Sequence, residues 1–151
     1  MVFKDNVQKQ FKLAGWFENR MEQKVFENNF ESFYDFPSHV VTFLLAYGNL
    51  LVEDCKPFES EVTNTLQTHY TYLGKIKRTD LPFTSEAYCI GYFYPDHYSV
   101  YTDKNEALYL LGDSYFKINS EFIKGIENLL EDDWSNTLEW NPELKIWVDE
   151  Y

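Results

Sequence analysis

The stretch from Tyr88 to Ile118, YCIGYFYPDHYSVYTDKNEALYLLGDSYFKI, constrains this chain most. Three runs rich in aromatic and β-branched residues, Tyr88 to Tyr94, His97 to Thr102 and Ala107 to Leu111, are separated by Pro95-Asp96 and by Asp103-Lys104-Asn105. Such runs suit a pleated surface and such separators suit turns, so the pattern predicts an antiparallel meander. Side chains alternate along a strand, which puts Tyr98, Val100 and Thr102 on one face and His97, Ser99 and Tyr101 on the other. The expected sheet has one face to bury and one to present.

Phe122, Ile123, Ile126, Leu129 and Leu130 follow at helical spacing, a stripe suited to covering the buried face. Asn119 or Ser120 can cap this helix, and Glu121 suits the positive end of its dipole. Gly125 interrupts it at a cost of about 1 kcal/mol relative to Ala, which points either to close packing or to tolerance.

Towards the N-terminus, Val7, Phe11 and Ala14 share one side of a helix over Asp5 to Ala14, with Asp5 as its cap and Gly15 as its stop. Glu18-Asn19-Arg20 reads as a turn. Phe26, Phe30, Phe33 and Tyr34 have helical spacing, and Pro37 suits the first position of a further helix whose Val40, Val41, Leu44 and Tyr47 face inward until Gly48. A first strand is expected over 49–53, then a loop, with 69–82 ambiguous between helix and strand. The class is α+β: a mainly antiparallel, twisted sheet packed by N-terminal helices and by one helix near the C-terminus. The 151 residues fit a single domain over 1–151, with an acidic, Trp-rich extension at about 131–151.

Charge narrows the partners. There are 25 acidic and 13 basic residues, a net charge of -12, so phosphate backbones and anionic membranes repel the chain. Residues 127–151 hold eight acids, one base and three of the four tryptophans. The start MVFKDNVQKQF has no apolar signal core and no long apolar run follows, so a cytoplasmic location is expected. Cys55 and Cys89 lie at no metal-ligand spacing and read as buried, reduced thiols.

Motifs for catalysis are sparse. The six glycines assemble no phosphate-binding loop, and His39, His69 and His97 form no metal pattern. Glu131-Asp132-Asp133 lacks the ligand order of a calcium loop. No cofactor and no metal are expected. Asp96 and His97 with Cys89 are the residues from which a small hydrolase would have to be built, against the plainer reading of a turn followed by an outward-facing His.

Two stretches carry a resemblance. Ala14-Gly15-Trp16-Phe17-Glu18-Asn19-Arg20 and Phe43-Leu44-Leu45-Ala46-Tyr47-Gly48-Asn49-Leu50 resemble the A-G-W-x-x-x-R opening and the F-L-x-x-[FY]-G-x-L helix exit of a clade of bacterial immunity proteins in the SUKH superfamily. Ile90-Gly91, the strand-turn-strand to Leu111 and the helix to Leu130 extend the likeness, which covers the chain to about residue 130. Asn19 stands where the clade usually has Gly, and the Trp-rich end matches no family motif.

The resemblance implies a non-enzymatic immunity protein (antitoxin) that binds and neutralises a cognate polymorphic toxin, here expected to be a basic nuclease, by stoichiometric occlusion. The alternatives are a scaffold for an endogenous partner and, in another class, the hydrolase. The expected toxin-binding surface is Glu131, Asp132, Asp133, Glu139, Trp140, Glu143, Trp147, Asp149 and Glu150, with Trp140 and Trp147 as anchors and the acids in place of phosphates. Equally, the tryptophans plug the sheet and the acids only solubilise. A second candidate face is Glu53, Asp54, Asp96 and Tyr98.

Overall fold

The computed structural model describes residues 1–22, 36–59, 61–68 and 76–149; the helical pattern expected around Phe26 to Tyr34 lies outside them. The described elements are α1 (Asp5–Ala14), α2 (Ser38–Tyr47), β1 (Leu51–Glu53), β2 (Thr65–Gln67), β3 (Lys77–Arg78), β4 (Ala87–Tyr94), β5 (Tyr98–Asp103), β6 (Leu108–Leu111), β7 (Tyr115–Asn119), α3 (Phe122–Glu131), β8 (Leu138–Asn141) and β9 (Ile146–Val148). All strands join one antiparallel sheet in the order β1-β2-β4-β5-β6-β7-β8-β9, with β3 also paired to β4. The α+β class and the meander of β4, β5 and β6 are as expected, and β7 extends it by a fourth strand.

The helices cover one face. Val7 and Phe11 of α1, Val40, Phe43 and Leu44 of α2, and Phe122, Ile126 and Leu129 of α3 meet Ile90, Val100, Leu108 and Ile118 of the sheet in one cluster. Rings dominate the helix end of it: Phe11 lies 4.6 Å from Tyr47, Phe3 lies 5.0 Å from Tyr47, and Phe43 packs edge-on against Phe122 at 5.1 Å. Such pairs favour these offset and edge-to-face geometries because the ring faces are negative and the edges positive.

The two stretches that open and close the helical layer meet in space. Gly15 ends α1 at φ 121°, a conformation that strains any residue with a Cβ. That turn lays Trp16 flat on Tyr47, with centroids 5.6 Å apart and planes 5° from parallel. Asn19 takes φ 65° in the following turn, which asparagine tolerates. Arg20 then donates from Nη1 to the Ala46 carbonyl at 2.9 Å. The cation thus sits at the negative end of α2, where the last carbonyls lack partners within the helix. From the sheet side, the Thr68 hydroxyl donates to the Tyr47 carbonyl at 2.5 Å and accepts from the Leu50 amide at 3.0 Å.

Three local expectations change. Lys4, not Asp5, is the N-cap of α1, Pro37 caps α2 and does not begin it, and Glu121 caps α3; none makes a side-chain cap bond. The Asn119 carboxamide instead accepts from the Glu121 amide at 2.9 Å, one step outside the helix. The inward stripe of α2 also takes in His39 and Phe43, while Val41 is half-buried.

The larger correction concerns the sheet's other face, expected to be presented to solvent. Cys89, Tyr101, Tyr109 and Leu111 on that face form a second buried cluster with Leu81, Ala87 and Ala107. Central strands covered on both sides read as continuous apolar runs, as LYLL of β6 does. A bulge between Cys89 and Gly91 lets β4 change phase, so that Tyr88, Ile90 and Phe93 all reach the helix side.

Gly125 answers the question left by its sequence: a Cβ there would lie 2.7 Å from Leu108 Cβ, so α3 rests on β6 through the missing side chain. We therefore predict that Gly125→Ala, which helps an isolated helix by about 1 kcal/mol, destabilises this protein by about 1–3 kcal/mol through overpacking, as read by urea unfolding. His39 supplies a second prediction. Its ring is buried, with Nε2 3.0 Å from Thr102 Oγ1, and burial holds its pKa below the usual histidine value while Glu106 and Asp103 pull weakly upward. A depressed histidine favours the neutral form in the fold, so the unfolded chain binds more protons as pH falls. Stability should therefore drop as pH is lowered from about 7 towards 5, and His39→Gln should flatten that part of the profile.

Candidate partner-binding surface

The acidic C-terminal stretch is built on the exit of α3. Asp132 turns the chain at φ 55°, a left-handed cap, and its Oδ1 accepts from the Trp134 indole N–H at 2.6 Å and from Asn64 Nδ2 at 3.1 Å. Asp133 accepts from the Ser135 amide at 3.1 Å and from Asn128 Nδ2 at 3.3 Å. The bonds from Ser135 hold its carboxyl below the ordinary range. Both carboxylates are exposed while steering the chain into β8.

β8 and β9 then form a hairpin in which Trp140 faces Trp147 across the register, rings 5.2 Å apart at 70°. Phe83 receives both, at 5.5 Å from Trp140 and 4.7 Å from Trp147. Trp147 also stacks on Tyr109 of β6, at 5.9 Å and 18°. Three strand spacings separate β6 from β9, about 14 Å in a flat sheet, so the hairpin curls over to bring these rings together. Trp147 therefore packs on the second cluster, Trp140 joins it through Phe83 and Trp147, and both remain half-buried, while Leu144 and Ile146, 65% and 49% exposed, look outward.

The remaining acids sort by surroundings. Glu143 and Asp149 are exposed, Glu139 is half-buried, and Glu150 lies outside the described residues. Glu131 is engaged by α1: Lys4 Nζ lies 2.6 Å from Oε1, which raises the lysine pKa, and Asn6 Nδ2 donates to Oε2 at 3.1 Å. On the second face, Glu53 and Asp96 are exposed and Tyr98 half-buried. Asp54 is buried, and its carboxylate accepts from the Lys56 amide at 3.1 Å and the Asn64 amide at 3.0 Å; its geometry is that of a loop clamp.

Parts of the two candidate faces meet. Burial raises the Tyr98 phenol pKa, and Asp96, Asp113 and Glu139 add to that push, so acids of both faces act on one phenol. Beside it is a groove of about 300 Å³ lined by Phe93, Asp96, Tyr98, Phe116, Trp134 and Thr137 over Leu110. Trp134 stands out in the sequence as a third tryptophan of the acidic stretch; Phe93, Phe116 and Thr137 carry no local signal, since they come from separate strands and a turn.

The hydrolase residues do not converge. Cys89 pairs in register with Tyr101, four residues from His97, or about 13 Å along a strand. Burial pushes the Cys89 thiol up to about 11, against the activation a nucleophile needs. His97 Nδ1 lies 2.7 Å from the Tyr92 hydroxyl. Cys55, half-buried near Glu131 and Asp54, is likewise pushed up to about 11, burial being the main cause. Among the described residues no group of three His, Cys, Asp or Glu side chains could hold a metal ion, and no helix is long and apolar enough to cross a membrane.

If the hairpin tryptophans are a cover for the sheet, Trp147→Ala should destabilise the fold by about 2–3 kcal/mol, somewhat below the range for a fully buried ring, whereas Leu144→Ala should change stability by less than about 0.5 kcal/mol. Urea unfolding of the two variants checks this.

The SUKH-3 immunity protein family matches residues 3–132, from the strand of chain before α1 to the cap of α3, so the β8–β9 hairpin lies beyond the matched stretch. No curated protein and no solved structure matches the chain. Proteins of this family act as immunity factors against a cognate toxin domain and are not enzymes. With that match over most of its length, the chain belongs to the SUKH-3 immunity-protein family.

Proposed function

We propose that this protein neutralises a basic toxin domain of the nuclease class by binding it one to one in the cytoplasm and occluding its nucleic-acid surface. The observation that carries this reading is the net charge of -12, of which residues 127–151 carry -7, with Asp132, Asp133, Glu143 and Asp149 exposed at the α3 exit and the hairpin. A surface that must hold polyanionic nucleic acid is basic, and a partner of opposite sign is captured faster than a neutral one. In this account Asp132, Asp133, Glu139, Glu143, Asp149 and Glu150 stand in for phosphates. Trp140 and Trp147, backed by Phe83, offer their outer edges as rigid aromatic contacts that lose little side-chain freedom on binding. Glu53 and Asp96 extend the same sign of charge beyond this stretch.

The test is capture of the toxin domain encoded beside this gene. Association should slow steeply as ionic strength rises, since exposed charges are screened over about 8 Å at physiological salt. Asp132→Lys combined with Asp133→Lys should lower the association rate by about tenfold or more, and Trp140→Ala should act mainly on dissociation. A salt-independent rate, or capture indifferent to all three changes, would remove the acidic surface from the account.

A further inference from the structure

The groove beside Tyr98 has features that neither the covering of the sheet nor diffuse charge steering requires. Its walls are aromatic: Phe93 and Trp134 meet edge-on at 6.0 Å, and Tyr98 and Phe116 meet edge-on at 5.6 Å. Thr137 lines it at 3% exposure, and its hydroxyl has no hydrogen-bond partner among the described residues. A buried hydroxyl without a partner is costly, and the cost is recovered when a donor arrives. The charged groups that act on it among the described residues are acids. Asp96 is on the rim, Asp113 and Glu139 act on Tyr98, and Asp132 holds the Trp134 indole N–H; among the described residues no Lys or Arg lines the groove.

We propose that this groove is the anchor pocket for an arginine side chain of the partner protein. Its volume of about 300 Å³ accommodates one long side chain. Aromatic walls suit both the apolar stem and the flat guanidinium, for which Trp is the best ring partner. Acids at the rim neutralise the charge, and the Thr137 hydroxyl accepts one of the several N–H groups that a guanidinium carries and an ammonium presents less favourably to ring faces. Phe93, Asp96, Tyr98, Leu110 and Phe116 fall within the family match, whereas Trp134 and Thr137 lie beyond residue 132. The pocket is thus completed by the part of the chain outside the family match, which is where discrimination among toxins can be set. The proposal rests on the reading of a basic protein partner and names the contact that partner makes.

Two experiments test it. In the first, the folded protein is titrated with N-acetyl-arginine N-methylamide, followed by the Trp134 indole N–H and the Thr137 amide in NMR spectra. The expected result is saturation on the order of millimolar, weaker binding of the blocked lysine analogue and none of the blocked citrulline, which has the same shape without the charge. No saturable shift at these two signals, or equal shifts with citrulline, overturns the pocket. In the second, the neighbouring gene's toxin domain is captured by wild type, Thr137→Val and Asp96→Asn; each variant should bind about tenfold more weakly. The exposed Asp96 change provides the result should Thr137→Val fail to fold. Capture by wild type and variants alike overturns the pocket while the immunity reading stands. If wild type captures nothing, the partner reading fails and the blocked-arginine titration alone decides the pocket.

Discussion

Strands β4, β5 and β6 are buried on both faces, and a sheet of this kind is stable only when two separate layers exclude water from it. The helix layer covers one side with Phe11, Phe43, Phe122 and their neighbours; Leu81, Phe83 and Trp147 cover the other. The order of the chain follows from that requirement. Helices arrive before and after the meander to seal the first face, and the last residues return as a hairpin to seal the second. Tyr109, stacked on Trp147 and donating its hydroxyl to Asp103 at 2.7 Å, links that cover to the β5–β6 turn.

Close backbone approach sets how tightly these layers can meet. A Cβ on Gly91 would run into the Gln67 carbonyl, so β2 can lie against β4 only through a residue without a side chain. Gly125 does the same for α3 against Leu108. At the other end of the helix layer, Trp16, Arg20, Ala46 and Tyr47 close the exits of α1 and α2 on each other. The residues that carry the family resemblance are thus mostly packing and capping residues. A fold held by such contacts leaves its outer surface free to vary in charge and shape, which suits proteins that face different toxins.

The surface divides along the same line. Glu131 and Asp54 are spent on internal contacts, Asp132 and Asp133 shape the chain while remaining exposed, and Glu143 and Asp149 are exposed on the hairpin. Most acids among the described residues lie where water screens them, which limits the cost of crowding them on one molecule. The deficit of bases leaves a field that a cationic partner would meet before contact.

Periodicity and turn chemistry in the sequence determined the α+β class, the meander, α1, the existence of α2 and the inward stripe of α3, because these depend on neighbours within a few residues. The motif around Gly15-Trp16 and Gly48 determined the family. Strand phase determined which residues of β5 share a face, yet not that both faces are covered. That was decided by tertiary structure, because the cover comes from Phe83 and Trp147, far apart in the chain and brought together only by the curl of the sheet. The same holds for the acids: composition gives their number, while the folded chain decides that Asp54 points inward and that Asp96 and Glu139 both act on Tyr98. Long-range contacts of this kind leave no local period to read.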